Sequence, residues 1–127
     1  MILLDTDVMV DVLRGHEPAI AWLTTVSDSE IGLPGLVAME LIQGCQNARE
    51  QKRLEKALNA YHLFWAESQN CDRALKNFST YHLRYNLGLL DALIAETAIS
   101  VDAELATFNV KHYSVLKELK TIQPYEK

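Results

Sequence analysis

Short apolar runs alternate along the chain with longer segments in which apolar residues recur every three or four positions. The opening run Ile2-Leu3-Leu4 predicts a buried strand, and the triplet Asp5-Thr6-Asp7 after it predicts a capped helix that ends at Gly15. Further strands are predicted at residues 30–33, 62–66 and 105–107 and near Ile122. Further helices are predicted at residues 17–25, 36–43, 54–61, 71–85 and 91–99, with a short one before Ile122.

This alternation of strands and helices predicts α/β architecture with a mainly parallel sheet. No repeat, low-complexity run or linker rich in Pro, Gly or Ser interrupts the pattern. We therefore expect residues 1–127 to form a single domain. With 49% hydrophobic residues, a chain of this length can build a core without disulfides or a structural metal.

Charge, apolar stretches and cysteine content limit the binding partners and the cellular location that we expect for the protein. The formal net charge of -5 argues against a surface that attracts nucleic acid everywhere, so any phosphate-binding surface must be local. The apolar stretches are shorter than the ~18 residues that span a bilayer, and no basic segment precedes the first of them. Cys45 and Cys71 lack the spacing of metal ligands and are expected to be free thiols. We expect a cytoplasmic protein without a membrane anchor or a zinc site.

Three carboxylates stand in apolar surroundings. Asp5 ends an apolar strand, Glu40 is the only charge in residues 36–42, and Asp91 starts an apolar helix. Burying an unpaired carboxylate costs on the order of several kcal/mol, and the sequence offers none of the three a basic neighbour. Ligands of open parallel sheets bind beyond the carboxyl ends of the strands, where Asp5 is predicted to lie. A shared divalent cation would satisfy all three, and oxygen ligands suit Mg²⁺ or Mn²⁺.

Ordinary structural roles are the alternative for these acids. The polar triplet at residues 5–7 is able to cap the first helix, and Asp91 is able to cap a later one. Glu40 is harder to explain in this way, because its helix has hardly any polar face. We expect Asp7 to be a cap and Asp11 to be a solvated helix position.

Four segments, in their order along the chain, resemble PIN-domain ribonucleases and most of all the VapC-type toxins of bacterial toxin-antitoxin pairs. No segment is specific alone, but their common order, from the first strand to Tyr113, makes the resemblance fairly strong. The segments are Ile2-Leu3-Leu4-Asp5-Thr6-Asp7, Glu40-Leu41, Leu90-Asp91-Ala92-Leu93-Ile94-Ala95 and Leu105-Ala106-Thr107-Phe108-Asn109-Val110-Lys111-His112-Tyr113.

The resemblance implies a PIN-like three-layer domain, in which helices flank the sheet, and an acidic catalytic cluster. It assigns Asp5, Glu40 and Asp91 to that cluster, with Asp5 and Asp91 as direct Mg²⁺ ligands and Glu40 binding through metal or water. Many members have a fourth acid where this chain has Asn109. Because Asn is a poorer Mg²⁺ ligand than Asp, Asn109 is expected to orient a water or a substrate phosphate, and one metal ion is not distinguished from two.

Three polar residues near the acids are expected to support them or to contact substrate. Thr107 is expected to fix a carboxylate through its hydroxyl, Thr6 to assist beside Asp5, and His112 to contact substrate. The implied reaction is metal-assisted hydrolysis of RNA phosphodiesters, and no Ser, Cys or His nucleophile is needed. The resemblance also implies a small antitoxin protein as partner, and a homodimer.

RNA also needs positive charge. Four basic residues share one side of the predicted helix at residues 54–61 and its preceding turn, although a solvated helix face explains them equally. Arg84, Lys111 and His112 lie nearer the acids in the sequence and are alternative phosphate contacts. Aromatic residues at helical or strand spacing are expected to be mostly core rather than base-stacking groups. The basic residues are Arg49, Lys52, Arg53 and Lys56, and the aromatic residues are Tyr61, Trp65, Tyr81 and Tyr85.

Two other functions stay open at the level of sequence. An apolar strand followed by Asp5-Thr6-Asp7 also resembles the nucleophile motif of haloacid-dehalogenase-like phosphatases, with Asp5 as nucleophile, but the later paired-acid motif of that family is missing. In a non-catalytic protein-binding module, the acids would be helix caps and the apolar helices would form a partner interface. That module would have no metal affinity.

Overall fold

The computed structural model describes all 127 residues, which form five strands and seven α-helices. The strands are β1 (Ile2–Leu4), β2 (Ile31–Pro34), β3 (His62–Phe64), β4 (Glu104–Ala106) and β5 (Lys120–Ile122). The helices are α1 (Thr6–Leu13), α2 (Glu17–Leu23), α3 (Gly35–Gln43), α4 (Ala48–Leu58), α5 (Ser68–Tyr85), α6 (Leu89–Ser100) and α7 (Val110–Tyr113). Every predicted strand and helix is present, with most ends shifted by one to three residues, but α4 begins at Ala48, six residues before its predicted start.

The five strands form one sheet in the order β3-β2-β1-β4-β5, and every neighbouring pair is parallel. The chain therefore builds outward from β1 to β3 and then returns to the other side of β1 with β4 and β5. Open α/β sheets bind ligands where the strand order reverses in this way, beyond the carboxyl ends of the strands. Here that point lies between the ends of β1 and β4, directly before Asp5 and Thr107.

The core lies around the central strands. Leu3 and Leu4 of β1, Leu33 of β2 and Leu105 of β4 are completely buried. Helix α6 packs on β2, β4 and α5, and α3 packs on α1 and β2. The α/β fold with a parallel central sheet flanked by helices is confirmed. No helix combines the length and the apolar character that a membrane crossing requires.

Three local predictions were wrong. Helix α6 begins at Leu89, so that Asp91 is its third residue rather than its first. Asp11 is a partly buried, paired position rather than a solvated one, because its Oδ2 accepts a 2.8 Å hydrogen bond from the Tyr125 hydroxyl and lies 3.5 Å from Lys127 Nζ. The segment after β2 and α4 forms strand only over His62–Phe64, not to residue 66.

A fourth carboxylate in apolar surroundings was missed by sequence reasoning. Glu96 lies in the middle of α6 and is only 1% exposed. Its Oε1 accepts hydrogen bonds of 3.2 Å from both Asn70 Nδ2 and Arg73 Nε of α5. Glu96 is therefore paired within the protein and joins α5 to α6 rather than to the end of the sheet.

Candidate active site

Asp5 stands at the carboxyl end of the central strand, and its two oxygens have different partners. Oδ1 accepts the Thr6 backbone N–H at 2.8 Å, which is a helix-capping contact. Oδ2 accepts the Thr107 hydroxyl at 2.8 Å and the Tyr113 hydroxyl at 3.2 Å. The cap and the site are thus served by the same carboxylate, one oxygen each.

Asp91 reaches the same place from the first turn of α6. Its Oδ2 accepts the Gly88 backbone N–H at 3.0 Å and lies 2.9 Å from Nε2 of His112. Its Oδ1 lies 3.4 Å from the Tyr113 hydroxyl. The Tyr113 hydroxyl therefore stands between the carboxylates of Asp5 and Asp91, and the structure brings these two predicted residues together.

Glu40 joins this end of the sheet through Thr6. The Thr6 hydroxyl donates a 2.8 Å hydrogen bond to Glu40 Oε1. Glu40 is half-buried and has no direct hydrogen bond to Asp5 or Asp91. It borders a separate cleft of about 660 Å³ that reaches Arg14 and Arg53.

The loop after β4 is fixed by two further contacts. Asp7 Oδ1 accepts the Val8 N–H at 2.8 Å at the start of α1, and its Oδ2 accepts the Phe108 N–H at 3.0 Å. The Asn109 backbone N–H donates to Thr107 Oγ1 at 3.0 Å. The Asn109 side chain is exposed and makes no hydrogen bond to the acids, so its predicted role toward a water or phosphate stays a prediction.

Burial dominates the electrostatics of Asp5. Asp5 is 5% exposed, and burial raises the pKa of its carboxyl to about 6, with a further contribution from the charge of Asp7. Hydrogen bonds from Thr6, Thr107 and Tyr113 oppose the shift. Burial and the neighbouring carboxylates raise the pKa of the Tyr113 hydroxyl, which therefore keeps its proton and acts as a donor.

The acidic pair has little positive charge from the protein around it. No Lys or Arg forms a salt bridge with Asp5 or Asp91, and His112 is the only basic partner of Asp91. Two hard carboxylate oxygens that face one shared point are suitable ligands for Mg²⁺, which keeps several waters. No three His, Cys, Asp or Glu side chains are close enough to hold a metal alone. The residues fit an ion held by Asp5 and Asp91 with water in its other positions.

Two residues of this site were not recognised from the sequence. Tyr113 was part of the closing motif, but nothing local indicated that its ring would be 1% exposed with its hydroxyl between two acids. Gly88, which directly precedes α6, carries no signal of its role in the sequence. A Cβ atom on Gly88 would lie 2.6 Å from Asp91 Oδ2, so the missing side chain makes room for the carboxylate.

The basic and aromatic residues singled out in the sequence occupy different parts of the structure. The four basic residues of α4 do lie side by side and border a shallow pocket of about 500 Å³. The expectation that the aromatic residues are mostly core was wrong for Trp65 and Tyr85, which are 57% and 44% exposed. Lys111 and His112 share a second pocket with Tyr85.

Together, the sheet order and the acidic pair define an α/β domain with a carboxylate site at the reversal point of a parallel sheet. The family model described as PIN domain matches residues 2–117, and the chain belongs to the PIN domain family. The resemblance found in the sequence is confirmed. The phosphatase alternative has no support from this match.

Several named relatives are similar over nearly the full length. Ribonuclease VapC10 of Mycobacterium tuberculosis is 34% identical over 94% of this chain and 91% of its own length. Ribonuclease VapC19 of the same species is 35% identical over 94% of this chain and 98% of its own. A chain in the structure titled "Toxin-antitoxin complex from Klebsiella pneumoniae" is 25% identical, covers 100% of both chains and has a TM-score of 0.78.

Proposed function

We propose that this protein is a Mg²⁺-dependent endoribonuclease and the toxin of a toxin-antitoxin pair. The relatives named as VapC ribonucleases and the structural likeness to a toxin-antitoxin complex support the class of activity. The observation that supports the site is the meeting of Asp5 and Asp91 at the Tyr113 hydroxyl without a Lys or Arg between them. Mn²⁺ is a suitable substitute, since it also prefers oxygen ligands.

Each residue has a role that follows from its contacts. Asp5 and Asp91 hold the cation, and Thr107 and Tyr113 orient the Asp5 oxygen that faces it. When bound, Mg²⁺ polarises a phosphoryl oxygen and lowers the pKa of an attacking water. Glu40, whose carboxylate accepts the Thr6 hydroxyl, would bind through metal or water as the third acid of the cluster. Asn109, directly before α7, and His112 of α7 would contact the substrate.

The proposal includes two protein partners. The antitoxin would cover the acidic site, because a protein that blocks Asp5 and Asp91 prevents cleavage. A second copy of the chain would form a homodimer through exposed apolar side chains, of which Leu75 and Leu83 of α5 are 68% and 88% exposed.

The test is cleavage of total cellular RNA by the purified, partner-free protein in Mg²⁺ and in excess chelator. Asp5→Asn and Asp91→Asn remove one charge each while keeping nearly the same shape, and each is expected to abolish cleavage. Asp102→Asn is the matched control, because this exposed carboxylate precedes the amino end of β4, at the opposite edge of the sheet.

Circular dichroism would establish that all the variants are folded. Discrete fragments that require metal, Asp5 and Asp91 but not Asp102 would support the nuclease. Full activity in Asp5→Asn or Asp91→Asn would contradict the assignment of the site.

A further inference from the structure

A second pocket adjoins the acidic pair on the side of α7. Its volume is about 570 Å³, within the range of roughly 300–1,000 Å³ typical of ligand sites. Residues from the end of α5, the loop after β4, and α7 form its wall. They are Tyr85, Phe108, Asn109, Lys111, His112, Ser114 and Val115.

This pocket shares a wall with the acidic site. His112 borders the pocket, and its Nε2 lies 2.9 Å from Asp91 Oδ2. On the other side, the Asn109 N–H donates to the Thr107 hydroxyl, which in turn donates to Asp5. A ligand in the pocket would therefore contact His112, which is bonded to Asp91, and Asn109, which is linked to Asp5 through Thr107.

Of the Phe108 and Tyr85 rings that line the pocket, the Tyr85 ring is the more exposed to a ligand. The Phe108 ring packs edge-on against Tyr125 at 4.9 Å between centroids, and Lys127 Nζ lies 4.5 Å from its centroid. Tyr85 is 44% exposed, and the neighbouring Tyr81 and Arg84 brace its ring, with Arg84 Cζ 5.5 Å from the centroid. Tyr85 thus presents a supported aromatic surface at the rim of the pocket.

Two polar side chains of the pocket, those of Lys111 and Asn109, are also free of partners within the protein. The Lys111 ammonium forms no salt bridge and no hydrogen bond, although the protein has a net charge of -5. The Asn109 amide has no partner within the protein and offers both a donor and an acceptor. An aromatic ring, a free amide and an unpaired cation next to a carboxylate pair are the groups that recognise one nucleotide of a single strand.

We propose that this pocket binds the nucleotide beside the cleaved phosphodiester, with the base stacked on Tyr85 and a backbone phosphate paired with Lys111. The inference rests on the proposed ribonuclease function. It adds to that function the location of the RNA strand next to the acidic pair. It assigns Tyr85 and Lys111 to substrate binding, whereas Asp5 and Asp91 act on the phosphodiester.

The test separates binding from cleavage. A fluorescein-labelled oligoribonucleotide of random sequence is titrated, by fluorescence anisotropy, into the Asp5→Asn protein with and without Tyr85→Ala. Loss of one base stacking contact is expected to weaken binding about tenfold. Tyr85→Phe keeps the ring and is expected to bind like the parent. Binding that is unchanged in Tyr85→Ala, or equally weak in Tyr85→Phe, would overturn the stacking role.

Lys111 has its own control. Lys111→Ala is expected to weaken RNA binding and to lower the slope of log Kd against log salt concentration by about one. Lys117→Ala is the control, because it also removes one positive charge but from outside the pocket. It is expected to change neither the affinity nor the slope. An unchanged slope in Lys111→Ala would contradict the phosphate contact.

Cleavage kinetics give an independent readout. With Asp5 restored, Tyr85→Ala is expected to raise KM about tenfold while kcat changes less than about twofold. If wild type and Tyr85→Ala both cleave RNA and have the same KM, the proposed role of the pocket is refuted, whereas the proposed ribonuclease function is not. RNA binding that depends on Tyr85 in a protein that never cleaves would refute the proposed function and leave the pocket standing.

Discussion

The Tyr113 hydroxyl lies 3.2 Å from Oδ2 of Asp5, although 108 positions of sequence separate the two residues. The same hydroxyl lies 3.4 Å from Oδ1 of Asp91. A hydroxyl has one hydrogen to donate, so it serves one carboxylate at a time and holds the two acids around a shared point. In the proposed function, Asp5 and Asp91 are the residues that would hold a cation.

Tyr113→Phe removes that hydroxyl and keeps the buried ring. We expect RNA cleavage to fall about tenfold, as is typical when a group that orients a metal ligand is lost, and stability to fall by about 1 kcal/mol. Tyr125→Phe is the matched control, because its hydroxyl donates to Asp11 at 2.8 Å, away from the acidic pair. Cleavage rates and urea unfolding would measure both effects. Equal cleavage by the two variants would contradict the bridging role.

Gly88→Ala tests the space beside Asp91. The new Cβ would lie 2.6 Å from Asp91 Oδ2, so that the carboxylate must move. We expect a loss of cleavage of at least about tenfold with a stability loss of only about 1 kcal/mol, since a side-chain end shifts and the backbone does not. Gly44→Ala is the control, because its Cβ would meet nothing closer than 3.5 Å. Full activity of Gly88→Ala would show that the position of Asp91 is unimportant.

The pKa of Asp5 predicts how stability depends on pH without metal. Its folded pKa, about 6, exceeds the ordinary value of 3.8, so the folded state binds this proton more tightly. Stability should therefore fall as pH rises from about 4 to about 6, by about 3 kcal/mol from this group alone.

Urea unfolding in chelator, measured between pH 4 and pH 7, would test this dependence. Because burial also raises the pKa of Asp7, the comparison needs a variant that changes Asp5 only. Asp5→Asn removes the titrating carboxyl of Asp5. The stability of this variant is therefore expected to fall less than that of the wild type over the same pH range, by the contribution assigned to Asp5. Identical pH profiles for wild type and Asp5→Asn would refute the prediction.

Arg73 supports the fold and not the chemistry. Its Nε donates to the buried Glu96 at 3.2 Å, and its Nη1 lies 3.9 Å from the exposed Glu118. Arg73→Ala leaves a buried carboxylate with only Asn70, so we expect a loss of about 1–3 kcal/mol. Glu118→Gln breaks only the exposed pair and is expected to cost less than about 1 kcal/mol. Differential scanning calorimetry would compare them; equal melting temperatures would contradict the role of Glu96.

Local sequence patterns were enough to predict the order of strands and helices along the chain. Apolar runs such as Ile2-Leu3-Leu4 and apolar residues at helical spacing located the strands and helices, because burial acts on residues that are close in sequence. The alternation then implied a parallel sheet. The exact start of α6 was missed, since Gly88 precedes the helix without a side-chain cap of its own and the carboxylate that binds its N–H comes from Asp91.

The acids of the site were visible as charges in apolar segments, but their partners were not. Asp5 and Asp91 were recognised because apolar sequence surrounds them, yet Glu96 satisfies the same criterion and proved to be paired with Arg73. The sequence does not distinguish these cases, because the partner comes from another helix. The contacts of Tyr113 and His112 likewise arise from α7 folding back over the end of the sheet.

The most direct test of the central claim is Mn²⁺ binding, measured by electron paramagnetic resonance on preparations that are also assayed for RNA cleavage. We expect saturable binding in wild type and Asp102→Asn, and affinity at least about tenfold weaker in Asp5→Asn and Asp91→Asn, with cleavage lost in parallel. Unchanged Mn²⁺ affinity in both site variants, or cleavage that persists in chelator, would contradict a metal-dependent nuclease centred on Asp5 and Asp91.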